Sequence, residues 1–83
     1  MNKVLIQVYV PVLEEKYEVF IPINRRLYKV MDIITETVRE LSGGYFEPSE
    51  TNQLYDKDTG QLYDLNILVK HSGIKNGSRV III

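Results

Sequence analysis

The sequence predicts an α+β fold in which a mixed sheet of four to five strands packs on one main helix plus a short helical turn. Three observations predict it. A strand-like apolar run closes the sequence at residues 79–83, with apolar side chains at every position after Arg79. The comparable run lies near the other end, at residues 4–10. Between them lies one stripe of apolar residues at helical spacing, Leu27, Val30, Met31, Ile34, Val38 and Leu41. A strand with one wet face alternates apolar and polar residues. The closing run does not, so it belongs mid-sheet with at least one face fully covered. Laying it beside the first run, parallel to it, buries both under the helix.

Composition narrows the function before any motif does. The 83 residues suffice for a single domain, 1–83, with one small core. Hydrophobic residues make up 45% and charged residues 25%, a globular rather than a disordered balance. The net charge is −1 with no basic block, which argues against a nucleic-acid partner, since neutralising phosphates needs clustered Lys and Arg. The absence of cysteine removes disulfides, thiolate catalysis and Cys-based zinc sites, and leans the localisation towards the cytoplasm. The N-terminal apolar run contains Gln7 and Pro11, meets Glu14-Glu15-Lys16 and has no small-residue cleavage site, so it does not read as a signal peptide. No run reaches the roughly 20 apolar residues a spanning helix needs, so direct membrane insertion is not expected.

In chain order, the first strand covers residues 4–10, with the β-branched and aliphatic face Val4, Ile6, Val8 and Val10 towards the core. Residues 11–16 form a hairpin connection in which Pro11 removes a ladder donor. The second strand, 17–21, alternates Tyr17, Val19 and Ile21 with Glu18 and Phe20, and the glutamate marks the wet face. The helix is expected over 25–41 with Asn24 as N-cap. Leu27 stands where a capping box would place Glu or Gln, and Arg25 and Arg26 oppose the macrodipole, so packing has to hold this helix start. Gly43 supplies the left-handed residue that stops the helix. A loop follows over 44–52, then short strands at 53–56 and 61–63 around the turn Lys57-Asp58-Thr59-Gly60. A helical turn is expected at 67–72 and a tight turn at Asn76-Gly77 before the last strand. The resulting order, a hairpin, a helix, more strands and a final parallel strand, is the β-grasp arrangement.

On these residues the chain resembles ubiquitin over essentially its whole length. The strand pair, the helix stripe, and Val69, Ile74, Val80 and Ile82 in the closing segment carry the resemblance, together with Gln53-Leu54-Tyr55 and Gln61-Leu62 as third and fourth strands. More specifically, Leu27-Tyr28-Lys29-Val30-Met31-Asp32-Ile33 and the Gly73-Ile74…Asn76-Gly77 piece with its apolar strand resemble the bacterial YukD-like group, ubiquitin-fold proteins associated with type VII (Ess-type) secretion. That resemblance implies a cytosolic accessory or regulator of such a machine, partnered by a cytosolic domain of a membrane secretion component. Ubiquitin-like conjugates and sulfur carriers end in an exposed Gly-Gly, whose missing side chains let the tail enter a narrow activating site. Here the sequence closes on Ile82-Ile83, and Gly43-Gly44 is internal. Conjugation and thiocarboxylate chemistry are therefore not expected, and the carrier reading would need a chain that runs on into Gly-Gly.

No nucleophile–base pair is discernible, so the expectation is a non-enzyme with no cofactor. His71 has no ligand-spaced neighbour and reads as a surface residue. Asp56, Asp58 and Asp64 lack the spacing, central Gly and closing Glu of an EF-hand loop and read as turn residues. Among the six tyrosines, Tyr17 is expected in the core and Tyr28, Tyr45 and Tyr63 half-buried. The candidate site is the outer sheet face. By alternation Leu5, Phe20, Ile81 and Ile83 point away from the helix, with Tyr55 beside them, and are expected to cluster. Such a patch calls for cover. A protein partner is the preferred occupant, a homodimer the next, and the loop 44–52 folding over it the third.

Overall fold

The structure is a computed structural model that describes residues 2–83; Met1, counted in the expected domain and in the N-terminal reading, lies outside them. Strand β1 (Lys3–Val10) turns through one 3-10 turn (Pro11–Leu13) into β2 (Glu15–Pro22). Helix α1 (Leu27–Leu41) follows, then β3 (Leu54–Asp56), a second 3-10 turn (Val69–His71) and β4 (Arg79–Ile82). The sheet order is β2-β1-β4-β3, with β1 and β4 parallel and the other two pairs antiparallel. This is a mixed four-stranded sheet with one main helix, the ubiquitin-like α+β fold. The two apolar runs lie side by side, and Val8 and Val80, both fully buried, pair in register.

Sequence alternation sets the inner face. Ile6, Val8 and Val10 of β1, Val19 and Ile21 of β2, Leu54 of β3, and Val80 and Ile82 of β4 are buried against Leu27, Val30, Met31, Ile34 and Val38 of α1. At the edge of this core Val4 and Tyr17 are only partly buried. Thr35, expected off the helix stripe, is also buried; its hydroxyl donates to the Met31 carbonyl at 2.8 Å, which lets a polar residue occupy an inner position. Leu41, expected on the stripe, is exposed on the last turn, whereas the loop residue Phe46 is buried in the core.

The helix begins at Leu27 and not at Arg25, and Asn24 does not cap it; the N-cap position is Arg26, without a capping side chain. A neighbouring strap of chain does the capping. The Leu27 and Tyr28 amides donate to the Ile67 and Leu65 carbonyls at 2.9 and 2.8 Å, satisfying donors that a helix start leaves orphaned. The strap continues as an Arg26–Leu68 bridge, with the Val69 amide on the Arg25 carbonyl and the Lys70 amide on the Ile23 carbonyl. Extended pairing of Ile67 and Leu68 explains why the expected helical turn at 67–72 shortens to Val69–His71. The expected strand at 61–63 shrinks to one bridge between Leu62 and Tyr55, because Asp56 turns the chain at once: its carboxylate accepts the Asp58 and Thr59 amides at 2.8 and 3.0 Å. The strand at 53–56 starts one residue later, at Leu54, and β4 stops one residue early, at Ile82, although Gln53 and Ile83 still exchange both backbone hydrogen bonds. Gly43 and Gly44 both take positive φ and close the helix, their amides reaching the Glu40 and Arg39 carbonyls.

Candidate protein-docking surface

The outer sheet face is best described row by row across the strands. Leu5 pairs with Phe20 at one end. In the next row Gln7 faces Glu18 on one side and Arg79 on the other. The row after that runs Lys16, Tyr9, Ile81 and Tyr55. Beyond it Ile83 stands opposite Gln53. Leu5 and Tyr9 are thus four residues apart on one strand, roughly 13 Å. The expected cluster is therefore divided. Leu5 and Phe20 lie on one side of a polar row, while Tyr55, Ile81 and Ile83 lie together on the other. Alternation names the face of each strand; the register then separates these side chains along it, and register cannot be read from alternation within single strands.

The polar row is held in place. The Arg79 guanidinium pairs with the Asp58 carboxylate of the β3 turn. Lys57 stands beside the row and extends its ammonium over the Tyr9 ring, 5.0 Å from the centroid. A cation over an aromatic face is attracted by the ring quadrupole. The Tyr55 hydroxyl donates to Gln53 Oε1 at 3.0 Å. Tyr9, Tyr55 and Ile81 are accordingly half-buried, whereas Phe20 is 57% exposed and Ile83 64% exposed.

Ile83 also belongs to a second feature that alternation did not reveal. A cleft of about 360 Å³ opens at this end of the sheet, lined by Pro11, Val12, Tyr45, Phe46, Ile82 and Ile83 with Glu47 and Asn52 at its margin. Three of its walls are among the most exposed apolar side chains of the described residues: Tyr45 at 82%, Val12 at 80% and Ile83 at 64%. The sequence grouped Tyr45 with half-buried residues and left Val12 inside a hairpin connection. Local chemistry explains both. The left-handed pair Gly43-Gly44 reverses the chain after α1, so that Tyr45 faces outward and Phe46 inward. The Phe46 amide is anchored on Ser42 Oγ at 3.0 Å. Pro11 opens a 3-10 turn that lifts Val12 clear of the sheet, and Glu14 closes the turn at a φ of 52°. The loop 44–52 therefore joins the core through Phe46 and walls this cleft.

The titratable candidates occupy turns. His71 is exposed on the second 3-10 turn, its amide on the Leu68 carbonyl. Asp64 Oδ1 accepts the Asn66 amide at 2.9 Å. The amides of Thr59 and Asp58 hold the Asp56 carboxyl below its ordinary range. Tyr63, half-buried as expected, is pushed up to about 12 by burial and by its hydrogen bond to Asp56 Oδ2 at 3.1 Å. Tyr17 packs half-buried against the core, while Tyr28 is exposed rather than half-buried, because it follows the buried Leu27 on the outer side of the first helical turn. Among the described residues no group of three or more His, Cys, Asp or Glu is placed to hold a metal, and no helix is long and apolar enough to cross a membrane.

Comparison with solved structures agrees with the fold. The ubiquitin-like domain of an Arabidopsis thaliana protein superposes with a TM-score of 0.73 at 19% identity, covering all of this chain and 78% of that one. The ubiquitin-like domain of EccD5 from Mycobacterium xenopi gives 0.71 at 12% identity, covering all of this chain and 94% of that one. A chain of an ESX-5 inner membrane complex gives 0.70 at 16% identity, with this chain spanning 21% of it. A chain of a toluene 4-monooxygenase complex shares the fold as well, so the likeness carries architecture and no activity. No protein-family profile matches the sequence, and no curated protein matches it either.

Proposed function

We propose that this chain is a non-catalytic, ubiquitin-like protein-interaction module, folded as a single unit, that serves a bacterial type VII secretion machine in the cytosol. In this reading it docks a cytosolic domain of a membrane component through the apolar end of its sheet. The observation that carries the docking surface is the cleft at that end, where Tyr45, Val12 and Ile83 stand exposed around an apolar floor made by Phe46 and Ile82. Ile81 and Tyr55 extend the same surface onto the outer sheet face. Exposed apolar side chains gathered in one place mark interaction sites more often than scattered ones do. Support for the secretion setting comes from the YukD-like character of the helix start and of the Gly73-Ile74…Asn76-Gly77 segment. The EccD5 domain and the ESX-5 complex chain among the structural neighbours support it further.

The test is complementation in a host that lacks the wild-type chain. Tyr45→Lys and Val12→Lys should abolish export of type VII substrates while the protein stays folded and at normal abundance. Phe20→Lys, across the polar row, should leave export intact. Export that survives both cleft substitutions would contradict the reading.

A further inference from the structure

The two edges of the sheet are treated differently. The β3 edge is short and covered, because Tyr55 bridges Leu62, the Tyr63 amide reaches the Leu54 carbonyl, and the Asp56 amide reaches the Gln61 carbonyl. The β2 edge is eight residues long and, among the described residues, no hydrogen bond from outside the β1–β2 ladder reaches Lys16, Glu18 or Phe20. The parity of that ladder is known. The Ile23 amide donates to the Asn2 carbonyl, so the bonded pairs alternate from there as Val4 with Ile21, Ile6 with Val19, and Val8 with Tyr17. The backbone groups of Lys16, Glu18 and Phe20 therefore point away from the sheet. Pro22, next in that series, has no amide to offer and blunts the edge at its end.

An open edge is a template for another strand, and charge selects which one. Lys16 and Glu18 are exposed on the outer face, two residues apart, and neither has an ion-pair partner among the described residues. If β2 meets β2 of a second copy antiparallel about Tyr17, the outward backbone groups of Lys16 face those of Glu18 of the other copy. The twofold axis repeats that match. It forms about four main-chain hydrogen bonds and places two opposite-charge pairs directly across the new junction. Shifting the axis to Glu18 would set glutamate against glutamate. We infer that the β2 edge is a self-complementary homodimer interface, in which a second copy of this chain pairs antiparallel in the register that matches Lys16 with Glu18. This interface depends on edge backbone and charge order, not on the apolar cleft, and stands or falls separately from it.

Sedimentation over a concentration series up to roughly 1 mM tests it. The wild type should dimerise within that range. Lys16→Glu and Glu18→Lys should each stay folded by circular dichroism and weaken the dimer on the order of tenfold or more, since each turns two attractive pairs into repulsive ones. Mixing these two variants should restore the dimer as a heterodimer. The first variant is negative at both positions and the second positive at both, so each cross-strand pair again joins opposite charges. The double reversal K16E/E18K should dimerise as the wild type does. A wild type that remains monomeric throughout, single reversals that dimerise like the wild type, or a mixture that fails to associate would each overturn the interface.

Discussion

The backbone amide of Leu5 donates to the Asn76 side-chain oxygen at 2.7 Å, linking two residues 71 positions apart. The Leu5 carbonyl accepts the Gly77 amide at 2.8 Å, so both polar groups of one β1 residue are met by the Asn-Gly turn that precedes β4. The turn does more than reverse the chain. Its asparagine and glycine extend the parallel ladder beyond the end of the strand, where Gly77 takes a φ of 86° that other residues rarely adopt. Asn76→Ala removes an acceptor that no neighbouring backbone group replaces. It should cost about 1 kcal/mol in chemical denaturation, and Asn76→Asp should recover most of that loss because an acceptor remains.

Ile34 is fully buried at the centre of the helix stripe. Ile34→Ala should cost about 2–5 kcal/mol, a large share of the stability of a domain this small. Thermal denaturation followed by far-ultraviolet circular dichroism would report it as a lowered Tm.

Phe46 tests the loop in the same way. Truncation to Ala should cost about 3–5 kcal/mol if its ring is a full member of the core, and under about 1 kcal/mol if it only lines the surface. The first value is expected, since the residue is 5% exposed.

The helix and the first two strands were legible because each rests on a periodicity that a single segment carries by itself, and the parallel closure because its two runs stand out as apolar at either end of the sequence. Leu27 to Val38 repeat at helical spacing, and Val4 to Val10 alternate. Contacts between distant segments that no such pattern marks were not. Asn24 has a good capping side chain, yet carbonyls of Leu65 and Ile67 satisfy the first helical amides, and nothing near Asn24 announces that. Phe46 sits in a loop without period, and only the structure shows that it belongs to the core. The candidate docking residues were grouped from alternation, which names a face and no position along it. Their division into two groups depends on the β1–β4 register, with Gln7 opposite Arg79, which no stretch of sequence encodes alone.

The β3 turn gives stability a defined pH dependence at both ends. The Asp56 carboxyl is held below its ordinary value of 3.8 by the Thr59 and Asp58 amides. A lowered carboxyl favours the folded state above that ordinary value, and the contribution is lost as pH falls through the folded one. Tyr63 is raised from 10.0 to about 12, so its contribution is complete below pH 10.0 and disappears as pH climbs towards 12. Measured across pH, Tm should fall in both windows. Tyr63→Phe should flatten the alkaline limb and Asp56→Asn the acid limb; unchanged limbs would mean that other groups govern them.

The apolar cleft around Tyr45 is the centre of the functional account, and photocrosslinking in living cells tests it most directly. A photoreactive amino acid would replace Tyr45 in one strain and Leu5, beyond the polar row, in another. Crosslinks from position 45 to a cytosolic domain of a type VII membrane component, with none from position 5, are the predicted result. Crosslinks to that component from position 5 alone, or none from position 45 in cells that export normally, would contradict it.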